Sequence, residues 1–592
     1  MTLLYLEQPA SKPALQLRRK LLAIVVAACF SSAQANPVSP QVVHGQATFN
    51  QQGSLFSIVN TPNTIIDWRS FSIAPGEITR FIQQSADSRV LNRILGQDPS
   101  QILGALQSNG KVFLINPNGV LFGPDARVDV QGLVASSLGL SNSDFLAGRN
   151  QFSAGATAGK VSNQGSLKTP AGGQIFLLAP SVENTGLITA PNGDVLLAAG
   201  QSVQLVDSGQ PDVRVLVSAP SDAALNLGQV VAQGGRIGIY GALLSQRGTL
   251  NANSAVRGEQ GQIILKASGT ARVEAGSRTT ASNSASGGHG GQIQLLGAQV
   301  AVTGDAVVDA SGDGGGGSVL VGGDYQGKNA AVPNARRTEV GLGVQLRADA
   351  GSSGAGGKVV VWADESTRMA GSISARGGAA GGAGGQVETS GLYLDVAGAR
   401  IDTSAAHGAR GSWLLDPYDI EISSSGTAPL ADGAAFNSGA QTGTSIINSA
   451  TLSGASSDVV LQAKHDLTFI DNVAIAHAGT TLTAQAGNDI KVNANLSTNG
   501  GAIILLANAA DSGSASGTGS VTLASGKTVS TGGGSLSLGG AGVTIDGAVL
   551  LGAGALDVRA TVAGGAISLG SNASIIGDGS ANLYSLLADN ID

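Results

Sequence analysis

The chain has 592 residues, 88 of them glycine, with 12% charged and 4% aromatic residues and a formal net charge of −7. An ordinary multidomain globular protein of this length would carry roughly twice that charge fraction and more large side chains. The dilute negative charge excludes the clustered Lys and Arg that a nucleic-acid interface needs, and recurrent β-branched runs with a mean hydropathy of +0.17 argue against disorder.

The N-terminus reads as an export leader spanning residues 1–35. Arg18, Arg19 and Lys20 form a basic region, residues 21–30 an apolar run too short to span a bilayer as a helix, and Ala33-Gln34-Ala35 a cleavage site between Ala35 and Asn36. A competing reading takes Val26-Ala27-Ala28-Cys29 as a lipobox, with Cys29 lipidated. Cys29 is the sole cysteine, so the processed chain carries no disulfide framework and can cross a membrane unfolded. Losing four basic residues and one acidic residue with the leader takes the net charge to about −10.

Helix signals are scarce downstream. Residues 100–106 could form one turn after Asp98-Pro99, weakened by Gly104. Strand signals are frequent: 111–115, 174–178, 194–197, 262–265 and 358–362 are short, apolar or β-branched, and bounded by Gly, Asn or Asp. Many share an opening of Gly, a polar residue and Ile or Val, at Gly173, Gly235, Gly261, Gly291, Gly317, Gly357 and Gly385, with intervals of 62, 26, 30, 26, 40 and 28. Such a degenerate period is the signature of a solenoid, and each opening glycine is expected to turn the backbone through positive φ.

The expected fold is all-β, a right-handed parallel β-helix with a few extra-helical strands or loops near the N-terminus. Asn-Gly pairs at 109–110, 118–119, 192–193 and 499–500 do not recur at hairpin spacing, which disfavours an antiparallel sandwich. Residues 36–280 are the least repetitive and 281–420 form a Gly-rich extension. That extension carries an irregular, more basic insertion at 326–340 with Arg336-Arg337. Residues 421–456 read as a Ser/Ala/Gly-rich loop or linker and 457–592 as degenerate solenoid repeats. The sequence reaches Ile591-Asp592 without a capping signal, which leaves truncation as an expectation.

The most specific stretch lies between residues 88 and 148. It runs through Asn92-Arg93, Gln101-Ile102, Asn109-Gly110, then Asn116-Pro117-Asn118-Gly119 and Gly132-Leu133-Val134-Ala135-Ser136-Ser137. This resembles the secretion domain of two-partner secretion exoproteins, the family of filamentous haemagglutinin and the high-molecular-weight adhesins, with Val120 where Ile is more usual. The resemblance implies that 36–280 is a haemagglutinin-like secretion domain. It also implies an outer-membrane partner transporter with periplasmic repeats, a route through the periplasm to the cell surface or medium, and an adhesin or haemagglutinin-like role. The receptor, a host-cell or surface glycan, is left unnamed. From the residues alone, Asn116-Pro117-Asn118-Gly119 is a corner: Pro117 fixes φ, Asn118 tolerates positive φ and Gly119 permits the exit. A second segment, 385–391 with 401–404 and Trp413-Leu414-Leu415-Asp416-Pro417, resembles one that recurs in large adhesins and is expected to mark a boundary.

Catalytic signals are sparse. Asp364 with Glu365, Asp416 with Asp419 and Glu421, and Asp305 with Asp309 are the candidate acid pairs for a polysaccharide-active β-helix enzyme, but solvated loop acids explain them better. His44, His289, His407, His465 and His477 lack metal-ligand spacing. The reading is of a non-enzyme without cofactor. Alternatives on the same export route are a haem-acquisition protein, for which Tyr325 is the suggestive residue, and a toxin carrier.

Overall fold

A computed structural model describes residues 36–206, 214–218, 222–425, 443–510 and 515–585; the leader, with Cys29 and Ala35, lies outside them. Each of the seven repeat glycines stands one residue before a strand that pairs in parallel with its counterpart one coil away. Gln174 lies beside Asp194, Asp194 beside Arg236, Arg236 beside Gln262, Gln262 beside Gln292, Gln292 beside Ser318, Ser318 beside Lys358 and Lys358 beside Gln386. The long interval after Gly173 contains two coils, the second opened by Gly193. Parallel pairing without reversal is what coiling requires, since each coil satisfies the backbone of the next. The molecule is a right-handed parallel β-helix.

The opening glycines do not serve the expected purpose. None has positive φ; Gly172 and Gly234, one residue earlier, do. The need is proximity. A Cβ on Gly291, Gly317, Gly357 or Gly385 would lie 2.0–2.1 Å from the carbonyl oxygen of the preceding glycine in the column, and one on Gly411 would lie 2.0 Å from that of Gly385. Neighbouring coils touch backbone to backbone there, leaving no room for a methyl group.

Each coil presents three strands. The first sheet carries Gln174–Ala179 and its equivalents, the second Ser181–Asn184 and its equivalents, and the third Leu187–Thr189, which pairs with Gln229–Val231 and through it with Thr249–Asn251. Inward Val, Ile, Leu and Ala form one continuous core from Phe56 to Ile567. At the corner between the second and third sheets a buried amide ladder replaces apolar packing. Asn163 donates to Asn184, Asn184 to Asn226 and Asn226 to Gln246, at 2.8, 2.8 and 2.7 Å. All four residues are inaccessible to solvent, and the two inner ones, Asn184 and Asn226, each donate to one neighbour and accept from the other. Asn184→Ala breaks two rungs and strands two buried amides. We expect it to cost about 2 kcal/mol in chemical denaturation, while export-independent features such as strand content stay intact by circular dichroism.

The N-terminal end is closed by antiparallel pairing. Ala47–Gln52 pairs with Leu55–Asn60 and Gln41–His44 with Thr64–Trp68. Phe49, Phe56, Trp68, Phe71 and Phe81 fill this end with edge-on and stacked rings, between 5.4 and 6.4 Å apart at their centroids. The extra-helical strands expected near this end are Asn150–Ser153, Ser202–Val206 and Arg214–Ser218, an antiparallel trio.

That trio explains why strands of the first sheet are continuously apolar. Gln174–Ala179 is buried at every position after Gln174, because its inner face meets the core and its outer face meets a second cluster holding Phe113, Phe145, Phe152, Phe176, Val203 and Leu205. Further along, the insertion plays the same part. Val332 packs with Leu296, Leu320, Val360 and Trp362 on the outer face of the first sheet.

Two local expectations are corrected. Residues 100–106 contain no helical turn: Ser100–Ile102 is a strand and Ala105–Ile115 begins another, because alternating burial and coil pairing override the weak turn signal. The stretch 421–456 is not a plain linker. Ile420–Ser423 and Ser445–Asn448 pair in parallel, and Ser449–Ser453 forms a helical turn capped by Asn448, while residues 426–442 are outside the description. From there to residue 585 the three sheets continue.

Candidate functional site: the secretion-signature corner

Asn116 is fully buried where the first sheet turns into the second. Its Nδ2 donates to the Asp98 carbonyl and to Ser100 Oγ, both at 3.0 Å. Its Oδ1 accepts from the Asn118 backbone N–H at 3.0 Å and from Asn118 Nδ2 at 3.2 Å. Asn118 Nδ2 also donates to the Gly96 carbonyl at 2.8 Å. The turn closes with the Gly119 N–H donating to the Asn116 carbonyl at 2.9 Å, as a β-turn with Pro117 at its second position.

The positive φ expected at Asn118 sits at Gly119 instead, at 109°. Asn118 is used for its side chain, which ties this corner to the coil before it. Gly119 is also required sterically, since a Cβ there would lie 2.6 Å from the Lys160 carbonyl oxygen in the following coil. The corner is thus locked to both neighbours.

The other signature residues divide into two groups. Gln101 and Ile102 pair directly with Leu121 and Phe122, the strand leaving the corner; Ile102 is core, while the exposed Gln101 takes a backbone bond from its N–H to Ser72 Oγ. Asn92 is buried in the coil below Leu114, accepts from Trp68 Nε1 at 3.0 Å and donates to the Phe113 carbonyl at 3.2 Å. Arg93 forms a fork with Asp67 at 2.9 and 3.1 Å and reaches Asn142 Oδ1 at 2.9 Å. Asn109 and Gly110 stand at the opposite end of strand 111–115. There Asn109 exchanges two 2.7 Å bonds with the Gln83 backbone, and a Cβ on Gly110 would meet the Gln83 side chain at 2.6 Å. The signature therefore marks both ends of segment 111–115, the first-sheet part of the bent strand Ala105–Ile115, rather than a single cleft.

Sequence reasoning missed the partners: Asp67, Trp68, Ser100 and the helix Asn142–Leu146. That helix is capped by Ser141, whose hydroxyl accepts from the Asp144 N–H at 3.0 Å. The Ser141 hydroxyl and Arg149 hold the Asp144 carboxyl below its usual range. Phe145 plugs the outer cluster against Phe113, and Arg89 lies 5.0 Å above its ring, its guanidinium lowered by burial. A lone Trp or Ser in the sequence carries no such signal; only the register reveals it.

Of the remaining candidates, Asn36 is nearly buried and donates to Gln51 Oε1 at 3.3 Å, while Ala35 lies outside the described residues. Trp413 to Pro417 lie many coils further along, with Trp413 in the core donating Nε1 to Thr389 Oγ1 at 3.0 Å. Of the candidate acids, Asp364, Glu365, Asp419, Asp305 and Asp309 are engaged in the scaffold. Asp364 accepts from Trp362 Nε1 and Asn334, Glu365 pairs with Arg336, and Asp419 accepts from the Asp466 N–H and contacts His465. Asp305 accepts from the Gly276 N–H and Asp309 from the Ser311 N–H. No group of three or more His, Cys, Asp or Glu residues capable of holding a metal ion occurs among the described residues, and no described helix is long and apolar enough to cross a membrane.

A long parallel β-helix with a locked N-terminal corner and covered outer faces defines a solenoid. Residues 33–313 match the family model of the TPS secretion domain. The structure resembles the HMW1 secretion domain from Haemophilus influenzae with a TM-score of 0.58 and 32% identity, over 64% of this chain and all of that one. Two heme/hemopexin-binding proteins of Haemophilus influenzae are also similar. One is 35% identical over 188 residues, 30% of this chain, and the other 39% identical over 87 residues, 15% of this chain. The matched parts span only 21% and 9% of those relatives' own lengths. The chain belongs to the two-partner secretion exoproteins, which are exported through the periplasm and across the outer membrane by a partner transporter, to the cell surface or the medium.

Proposed function

We propose that this chain is a surface adhesin whose N-terminal region, residues 36–280, is the part accepted by an outer-membrane transporter with periplasmic repeats. The observation that carries the reading is continuity. The secretion-domain match ends at residue 313, yet the coils run on in register to residue 585, giving a rod that projects surface away from its export signal. Ordered coil-by-coil pairing outside the membrane makes return through the pore costly, since each coil buries backbone and apolar surface. The signature corner supplies the first well-fixed turn of that process, and the chain acts without catalysis.

A haem- or hemopexin-directed role is the second reading, supported by the names of the two curated relatives. Co-expression with a partner transporter of this family tests the export step. Removing residues 36–280 should abolish surface delivery at least about a hundredfold by whole-cell immunoblot. Undiminished delivery of the truncated chain would refute the assignment. Cell attachment by the delivered protein, set beside titration with haem and with hemopexin, separates the two roles.

A further inference from the structure

The insertion leaves the first sheet after Ser318–Val321 and rejoins the coil at Arg337–Val340. It lies as a strap across the outer face of the coils that follow. Its base is fixed by Lys358 on Asp324 at 2.6 Å, by Asn329 on Asp324 at 2.8 Å and by the Val332–Trp362 packing. Its tip is held differently. The Gln326 N–H donates to both oxygens of Glu388, at 3.1 and 3.0 Å, and Gln326 Nε2 donates to Gln462 Oε1 at 3.0 Å. Gln326 adopts φ of 52°, unfavourable for a side-chain-bearing residue, so the seat holds a strained backbone. Since Glu388 lies on the strand Gln386–Asp395 and Gln462 on Asp458–Ala463, the tip spans the boundary at Trp413 to Pro417.

Beneath the tip lie two carboxyl groups. Glu388 is 1% exposed and Asp416 9%, and Asp416 Oδ1 has no hydrogen-bond partner among the described residues. The groups facing them are Asp324, Tyr325 and Lys328 from the strap, Ser390 from the same sheet and Lys464 beyond the next strand. Two lysines thus face three carboxyls in a desolvated seat, and Asp324 is already paired with Lys358.

We propose that the strap tip, residues 325–328, is a proton-operated latch, closed over the first sheet while Glu388 and Asp416 hold their protons and lifted when both ionise. Burial, with the Asp416 and Asp324 charges, pushes Glu388 up to about 7 against the Gln326 N–H and the Ser390 hydroxyl. Burial pushes Asp416 up to about 6 against Lys464 and Lys328. Both lie above their ordinary values, so closure is fully supported below the usual carboxylate range and is lost as pH rises through about 6 and then 7. Lifting the tip uncovers the two carboxylates.

Hydrogen exchange read by mass spectrometry on the full processed chain, corrected for the intrinsic rate at each pH, tests the latch. Protection of the peptide covering 322–336 should fall about tenfold between pH 5.5 and 8.5, with Gln174–Ala179 unchanged. The Glu388→Gln, Asp416→Asn double variant keeps both seats neutral and should stay protected at pH 8.5. Constant protection in the wild-type chain, or a double variant that titrates like it, overturns the proposal. Should the double variant fail to fold, Glu388→Gln alone must weaken the transition and move its midpoint to higher pH; an unmoved midpoint is equally fatal.

Discussion

Gly317→Ala is expected to unfold the coils around it, lowering stability by about 3 kcal/mol or more. The added Cβ would stand 2.1 Å from the Gly291 carbonyl oxygen and 2.6 Å from the Gly290 carbonyl carbon, both main-chain atoms that cannot rotate away. Relief requires widening the spacing between coils, and Gly317 sits inside a column: Gly357 approaches Gly317 as closely as Gly317 approaches Gly291. A local expansion therefore stretches hydrogen bonds on all three sheets of the coil. Gly155→Ala is the matched control. Among the described residues nothing lies within 4 Å of the new methyl group, and its φ is ordinary, so it should change stability by under about 0.5 kcal/mol. Denaturant titration monitored by far-ultraviolet circular dichroism compares the two directly; equal midpoints would show that the column tolerates side chains.

Asn116→Ala should cost about 3 kcal/mol and reduce export sharply. It removes one fully buried amide that serves four contacts, leaving the Asp98 carbonyl, Ser100 Oγ and the Asn118 N–H without their partner. Asn116→Asp separates geometry from shape. It keeps the acceptor for Asn118 but presents an oxygen to the Asp98 carbonyl, so Ser100 alone can donate to it. Its loss should be similar at neutral pH and smaller in acid, when the carboxyl carries a proton. Export is read as the ratio of surface to periplasmic protein in cells carrying the transporter. Normal export of Asn116→Ala, with its stability lowered as expected, would mean that the corner serves the fold and not recognition.

The architecture was legible because the physics repeats. One glycine per coil, followed by a polar residue and a β-branched one, is forced by backbone contacts that recur between Gly193 and Gly385. The pattern at Gly261, Gly291 and Gly317 is thus the structure written along the chain. The reason for those glycines was not legible, since positive φ and close approach demand the same residue. At the corner, Asn116 to Gly119 could be recognised as a turn, but which side chains it grips depends on coil register. Ser100 is 16 residues from Asn116 and Phe113 is 21 from Asn92. The Glu388–Asp416 seat was invisible for the same reason: Asp416 was grouped with Asp419 and Glu421 by sequence proximity, while its true neighbours come from another coil and a distant insertion.

Coil length in this molecule is free while coil spacing is not. The coil closing between Gln174 and Asp194 and the one running from Ser412 to Asp458 contribute the same single rung. Surplus residues leave the rod sideways, as the antiparallel trio and the strap do, without altering its thickness or pitch. Mutation can therefore enlarge, exchange or delete such outgrowths while selection on the trunk stays constant, and diversification of what the surface presents is uncoupled from the constraints of passage through the pore.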